Sequence, residues 1–300
     1  MISHKTELTK KIALITGING FVGPYLKDEL NSNGYDVYSI DLNETSNQSG
    51  HKIIRCDLTD FDSVYNAISK IKPDVIFHLA GFSSVAKSFE NPEICFKINV
   101  DGTKNLLDAV IKAGINPKIL VISSSEVYGK PKYNPIDESH PLNPISPYGE
   151  SRVKQEKLCL EYIKKHNLKI IISRSFNHTG PNQPETFVIP SFKKQIRDAK
   201  DGDIISVGNL DVVRDFSDVR DVVKAYCILL KKGHIGEIYN VGSGNAYKLR
   251  EVLDTLIKKS GKTLIIQVDK ERYRKADIEE QVCDTKKLLH IIDFKFRQIV

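Results

Sequence analysis

Between Lys11 and Asn33 the chain passes from a β-branched run, Lys11–Thr16, through Gly17-Ile-Asn-Gly20-Phe-Val-Gly23 into an amphipathic stretch, Val22–Asn33. No other feature constrains the fold as much. Glycines at this spacing allow a tight turn and let backbone N–H groups approach a pyrophosphate, whose charge a helix N-terminus stabilises. A glycine pattern alone would also suit a plain strand–helix turn. The strand before it and the helix after it favour the dinucleotide reading.

The alternation continues to about residue 175. Asp36–Ile40, Lys52–Cys56, Asp74–His78, Lys118–Ser123 and Lys169–Ser173 read as further strands. Ser63–Ile71, Val100–Ala113 and Tyr148–His166 carry helical spacing, and Gly34 and Gly114 stand where helices should stop. The pattern predicts an α/β fold, a doubly wound parallel sheet with helices on both faces. After Arg174 the rhythm changes. A Gly-, Pro- and Asn-rich segment precedes a helix near Pro190–Ala199, strands at Ile204–Val207 and Glu237–Val241 flank a polar stretch, Asp211–Asp221, and a helix follows at Arg250–Ser260. Residues 1–175 are therefore expected to form a dinucleotide-binding domain and 176–300 a smaller, interleaved substrate lobe, sharing one cleft.

Composition excludes several classes. Forty-four basic and 38 acidic residues leave a charge of +6 with no dense basic block, so nucleic-acid binding is not expected. No run reaches the length of a membrane helix, and the start has no apolar core like that of a signal peptide, so a cytoplasmic protein without membrane contact is expected. Five cysteines stand far apart without a CxxC pair, which predicts reduced thiols and no metal site.

Asp41 ends the second strand, 24 residues after Gly17. An acid there can accept hydrogen bonds from ribose hydroxyls and would repel a 2′-phosphate. Leu42-Asn43-Glu44 follows without an arginine, which favours NAD(H), with NADP(H) as the alternative. Asp57-Leu58 could flank the adenine, or Asp57 could cap a helix. Ser123-Ser124-Ser125-Glu126 follows the fifth strand, and Tyr148 opens a helix 24 residues after Ser124. A serine hydroxyl and a tyrosine phenol there could bind one substrate oxygen, the tyrosine exchanging a proton with it. Tyrosines ordinarily ionise near pH 10, so such a residue needs a cation nearby.

With Gly17-x-x-Gly20-x-x-Gly23, Ser124 and Tyr148-Gly-Glu-Ser-Arg152, the chain resembles the extended short-chain dehydrogenase/reductase superfamily of Rossmann fold. Three further blocks, from Ser173 to Pro181, Gly208 to Asp221 and Tyr239 to Gly244, resemble the GDP-6-deoxy-4-keto-D-mannose reductases. The resemblance runs from Lys11 to about Lys295. It implies reduction of the C4 ketone of a GDP-linked 4-keto-6-deoxyhexose, giving GDP-rhamnose, by a homodimer joined through the Val100 and Tyr148 helices. It places Gly17, Gly20, Phe21, Val22, Gly23, Asp41, Asp57, Leu58, Leu79, Ala80, Asn99, Tyr148 and Arg152 at the cofactor. Ser124, Tyr148, Arg152 and Glu126 fall at the chemistry. Ser83, Ser124, Asn177, Val188, Arg214, Arg274 and Asp277 fall at the sugar nucleotide.

The chain departs from the family pattern Tyr-x-x-x-Lys, with Arg152 in the lysine position. The spacing keeps Arg152 on the face of Tyr148, whereas Lys154 lies about 240° round the helix. Arginine keeps the charge but is bulkier and cannot relay a proton, so impaired ribose contact and proton exchange are expected. Glu126 resembles the base of the related 4,6-dehydratases, and Glu126 with Phe187 argues against a C3/C5 epimerase. The readings left open are a 4,6-dehydratase or C4 epimerase with bound NAD, and a catalytically weakened nucleotide-sugar-binding homologue. Asn99 is expected to cap the Val100 helix, and the short end after Phe296 to leave an exposed apolar patch.

Overall fold

The computed structural model describes residues 10–43, 52–273 and 277–300. In chain order these form β1 (Ile12–Thr16), α1 (Gly23–Ser32), β2 (Asp36–Asp41), β3 (Lys52–Arg55), α2 (Phe61–Ile71) and β4 (Val75–His78). Next come α3 (Val85–Glu90), α4 (Pro92–Phe96), α5 (Gly102–Lys112), β5 (Lys118–Ser124), α6 (Pro147–His166) and β6 (Lys169–Ser175). The remainder supplies β7 (Asn177–Thr179), α7 (Val188–Asp198), β8 (Ile204–Val207), β9 (Val213–Asp218), α8 (Val219–Lys232) and β10 (Ile238–Val241), then β11 (Ala246–Lys248), α9 (Leu249–Ser260), β12 (Ile265–Val268), β13 (Glu280–Gln281) and α10 (Lys286–Leu289).

Seven parallel strands make the main sheet in the order β10-β6-β5-β4-β1-β2-β3. The chain winds outward from β1 to β3, then returns to β4 on the other side of β1, so the order reverses between β1 and β4. A crevice opens at such a switch beyond the carboxyl ends of the strands, where ligands of open α/β sheets bind. One apolar core joins Ala13, Ile15, Leu26, Phe77 and Leu120 to Val222, Tyr226 and Leu229 of α8. The other joins Leu14, Val64, Ile68 and Ile76 to Leu106, Val110 and Ile119. Smaller sheets, β11-β9-β13 with β7 beside β9 and β12 beside β8, carry a third core around Phe192, Val207, Phe216 and Leu253.

Three expectations change. The polar stretch 211–221 hides strand β9 and the start of α8. Asp218 accepts from the Arg220 N–H to cap that helix, whose residues Val219, Val222, Val223, Tyr226 and Leu229 are buried. The Val100 helix begins earlier, at Pro92, and passes through one π-helical turn over Lys97–Asp101 into α5. Asn99 therefore lies inside the helical run and is no cap. Its side chain is fully buried, accepting from the Phe82 N–H at 2.8 Å and donating to Ser151 Oγ at 2.8 Å. Finally, Phe294 and Phe296 pack against the first core, and Ile299 and Val300 against the third, so no apolar patch is left there. No helix among the described residues is long and apolar enough to cross a membrane.

Candidate active site

The turn after β1 is held by backbone. Gly17 N donates to Ile40 O at 2.9 Å, and Gly17 sits at φ +75°. A Cβ there would meet the Ala80 backbone at 2.7 Å, so only glycine lets this turn lie against the turn after β4. No side chain caps α1 and no acid stands in its first turn, so its first N–H groups keep their positive end open. The segment after β7 covers this turn: His178 stacks on Phe21 with ring centres 6.0 Å apart, and Tyr25 Oη donates to Pro181 O at 2.6 Å. Asp41 accepts from the N–H groups of Asn19 (3.0 Å) and Asn43 (3.2 Å), tying the end of β2 to the glycine turn. Asp57 caps nothing longer than its own turn, accepting from Thr59, and the cap of α2 is Asp60.

At the end of β5, Ser124 Oγ accepts from the Glu126 N–H at 3.2 Å, which leaves its own hydrogen available. Ser146 caps α6 through the Gly149 N–H and so sets Tyr148 in that helix's first turn. Gly149 lets this turn close on the Ser124–Glu126 segment, because a Cβ would stand 2.6 Å from Glu126 O. Tyr148 is 7% exposed, its N–H donates to Ser88 Oγ, and among the described residues its hydroxyl makes no hydrogen bond. Glu126 is half-buried beside it in sequence space on the short turn after β5.

Below Tyr148, α6 buries a polar stripe: Ser151, Arg152, Gln155 and Glu156. Each finds partners, and Arg152 Nη1 donates to Ile122 O (3.0 Å) and Gln155 Oε1 (2.8 Å). Gln155 Nε2 donates to Thr103 Oγ1, which also meets His78 Nε2 at 2.9 Å, while His78 Nδ1 meets Thr16 Oγ1 at 2.8 Å. Thr103 gives its hydrogen to Asn99 O, so His78 donates through Nε2 and is neutral. Both ring nitrogens are used within the core. Burial, reinforced by the Arg152 guanidinium, pushes His78 down from 6.5 to about 3.

That shift gives a pH dependence of stability. Between pH 6.5 and about 3 the unfolded chain binds the proton that folded His78 refuses. This contribution is therefore complete above pH 6.5 and is lost as the pH falls through that window. From pH 7 to pH 5 it should cost the wild type about 2 kcal/mol. Denaturant unfolding at both pH values checks this, with His78→Asn expected to lack that part of the loss. Equal losses in the two proteins would rule it out.

The second lobe contributes a cavity of about 250 Å³. Asn177, Val188, Arg214 and Asp277 all line it, whereas Arg274 lies outside the described residues. Asn177 Nδ2 is buried with no partner. Arg214 pairs with Asp277 at 3.2 Å, and Asp277 also accepts from Asn209 Nδ2 at 2.8 Å. Asp218 pairs instead with Arg220. Arg272 also lines the cavity, its Nη1 on Ser206 O. Neither Arg272 nor Asn209 carries a sequence signal, since each reaches the cavity only through the pairing of β8 with β12 or a contact to Asp277. Ser83 is exposed in the loop between β4 and α3, beyond Leu79 and Ala80.

Comparison with known proteins agrees with this geometry. The family model described as GDP-mannose 4,6 dehydratase matches residues 14–298. GDP-6-deoxy-D-mannose reductase of Pseudomonas aeruginosa is 36% identical over 88% of this chain and 84% of its own length. GDP-mannose 4,6 dehydratase of Cricetulus griseus is 30% identical over 85% and 74%. Among solved structures, RMD from Pseudomonas aeruginosa complexed with NADPH superposes with a TM-score of 0.83 at 32% identity, covering 96% of this chain and 94% of that one. UDP-glucose 4-epimerase of Thermus thermophilus complexed with NAD gives 0.84 at 28%, covering 93% and 92%. With its glycine turn, its serine and tyrosine edge and this match over nearly its whole length, the chain belongs to the GDP-mannose 4,6-dehydratase family of extended short-chain dehydrogenases/reductases.

Proposed function

We propose that this chain reduces the C4 ketone of a nucleotide-linked 4-keto-6-deoxyhexose, converting GDP-4-keto-6-deoxy-D-mannose to GDP-D-rhamnose with NADH. The observation that carries the reading is the 36% identity to a GDP-6-deoxy-D-mannose reductase over 88% of the chain. The residues present suit a nicotinamide dinucleotide: an uncapped helix N-terminus behind a glycine turn, an acid at the end of β2, and a buried guanidinium whose Nε has no partner. Gly17, Gly20, Phe21, Val22 and Gly23 would hold the pyrophosphate, Asp41 the adenosine ribose, and Asp57, Leu58, Leu79, Ala80 and Arg152 the flanks. When bound, the nicotinamide supplies the hydride.

The chain's own part is to bind and to move a proton. Ser124, which accepts from the Glu126 N–H, turns its hydroxyl hydrogen toward the ketone oxygen. Tyr148 gives its proton to the same oxygen, and Arg152, with Cζ 5.3 Å from the tyrosine ring centre, stabilises the negative charge left behind. Arg214 and Arg272 face the diphosphate across the cavity, and Asn177 offers it an unpartnered N–H. The reading includes a cytoplasmic homodimer joined on the α5 and α6 side, where Ile94 and Leu160 are exposed.

A second reading, a 4,6-dehydratase that retains and recycles NAD, is favoured by Glu126 at the catalytic edge. One assay separates the two. Purified protein with GDP-4-keto-6-deoxymannose should consume NADH faster than NADPH, followed by loss of absorbance, with a 4-hydroxyl product by NMR. GDP-mannose turned over without net nicotinamide consumption would instead establish the dehydratase.

A further inference from the structure

Two arginines are buried against α6, and only one has a carboxylate. Arg174 is 4% exposed and meets Glu156 at 2.7 Å. Arg152 is also 4% exposed, yet among the described residues it has no carboxylate within ion-pair distance. A buried charge without a counter-ion is costly, so a site that keeps one must be built to hold it. The contacts of Arg152 show how it is held. Ile122 O and Gln155 Oε1 share its Nη1, and Gln155 is itself anchored on Thr103.

The space is equally specific. A Cβ on residue 81 would lie 2.6 Å from Arg152 Nη2, 3.1 Å from Nη1 and 2.8 Å from Asn99 Oδ1. The guanidinium thus fills volume that any side chain at position 81 would occupy. A lysine ammonium has no planar fork and would reach neither this space nor both of its acceptors in the same way.

We propose that Gly81 and Gln155 form a seat for the guanidinium at position 152, making Arg152 the cation that serves Tyr148 and Gln155 a positioning residue acting through it. Arginine in the lysine position is then an adapted arrangement, not a disabled one. The catalytic half of this inference rests on the reductase reading. The seat does not.

Thermal unfolding of the purified protein tests the seat without turnover. Gly81→Ala should lower Tm by about 5 °C in the wild-type background and by about half as much beside Arg152→Lys, where only the crowding at Asn99 remains. Equal drops in both backgrounds would overturn the seat. Kinetics test the positioning role. Gln155→Met should lower kcat about tenfold while KM for the sugar nucleotide stays within about twofold, and Arg152→Lys should lower kcat, not restore it. An unchanged kcat in Gln155→Met, or a faster Arg152→Lys enzyme, would refute the role. If the wild type turns over no nucleotide sugar, the functional reading fails by itself. The Tm cycles, run for Gln155→Met as well as for Gly81→Ala, then still decide the seat.

Discussion

Tyr148→Phe is expected to reduce kcat on the sugar nucleotide about 10³-fold while leaving the fold and KM nearly unchanged. The tyrosine ring is buried in the first turn of α6, and that turn is fixed by Ser146 Oγ and by Ser88 Oγ on the Tyr148 N–H. Phenylalanine preserves this packing and removes only the hydroxyl. That hydroxyl makes no hydrogen bond among the described residues, so its loss orphans no protein group. The whole effect should then fall on the proton delivered to the substrate oxygen. Ser124→Ala should cost less, about 10² in kcat, since it removes a polarising donor and not the proton source. Steady-state kinetics with a thermal scan of each variant checks both. A Tyr148→Phe enzyme retaining more than about a tenth of the rate would move the proton donor elsewhere, with Glu126 the first candidate.

How much of this could be read in the chain depended on whether a residue's role was local. The strands of the main sheet are short apolar runs ended by glycine or aspartate, and the model places them within a residue or so of expectation. Helix α8 was legible in principle, because Asp218 precedes apolar positions 219, 222, 223, 226 and 229, but the charges of Arg214, Asp218, Arg220 and Asp221 masked that spacing as a polar loop. Helix α6 shows the opposite difficulty. Its buried face at 148, 151, 152, 155, 156 and 159 is polar, so amphipathicity says nothing about which side faces the core. Asn177, Val188, Arg214 and Asp277 reach one cavity through strand pairings spanning up to about a hundred residues, and a motif could suggest them. Gly81, Gln155 and Arg272 belong to no motif. Their meaning lies in contacts that exist only after folding.

The buried ion pair of α6 should give the largest loss of stability. Arg174 directs Nε and Nη2 at the Glu156 carboxylate, at 3.0 and 2.7 Å, and its Nη1 at Tyr128 Oη and Glu138 O. Ser123 Oγ donates to the same carboxylate at 2.6 Å. Arg174→Met leaves Glu156 buried with one hydroxyl for company, and unfolding in denaturant should show a loss of about 4 kcal/mol. The double variant Arg174→Met with Glu156→Leu removes both charges and should recover most of that loss, since apolar replacement of a buried pair is often neutral. If the double variant is as unstable as the single one, the loss comes from the Tyr128 and Glu138 contacts instead. The pair also has a geometric task that stability alone would not reveal. Glu156 stands eight residues, about 12 Å, along α6 from Tyr148 on the same face, so it fixes the rotation of the helix that carries the tyrosine. A double variant that is stable yet slow, with kcat reduced and KM for the sugar nucleotide kept, would mean that the charges are retained to orient α6 and not to hold the protein together.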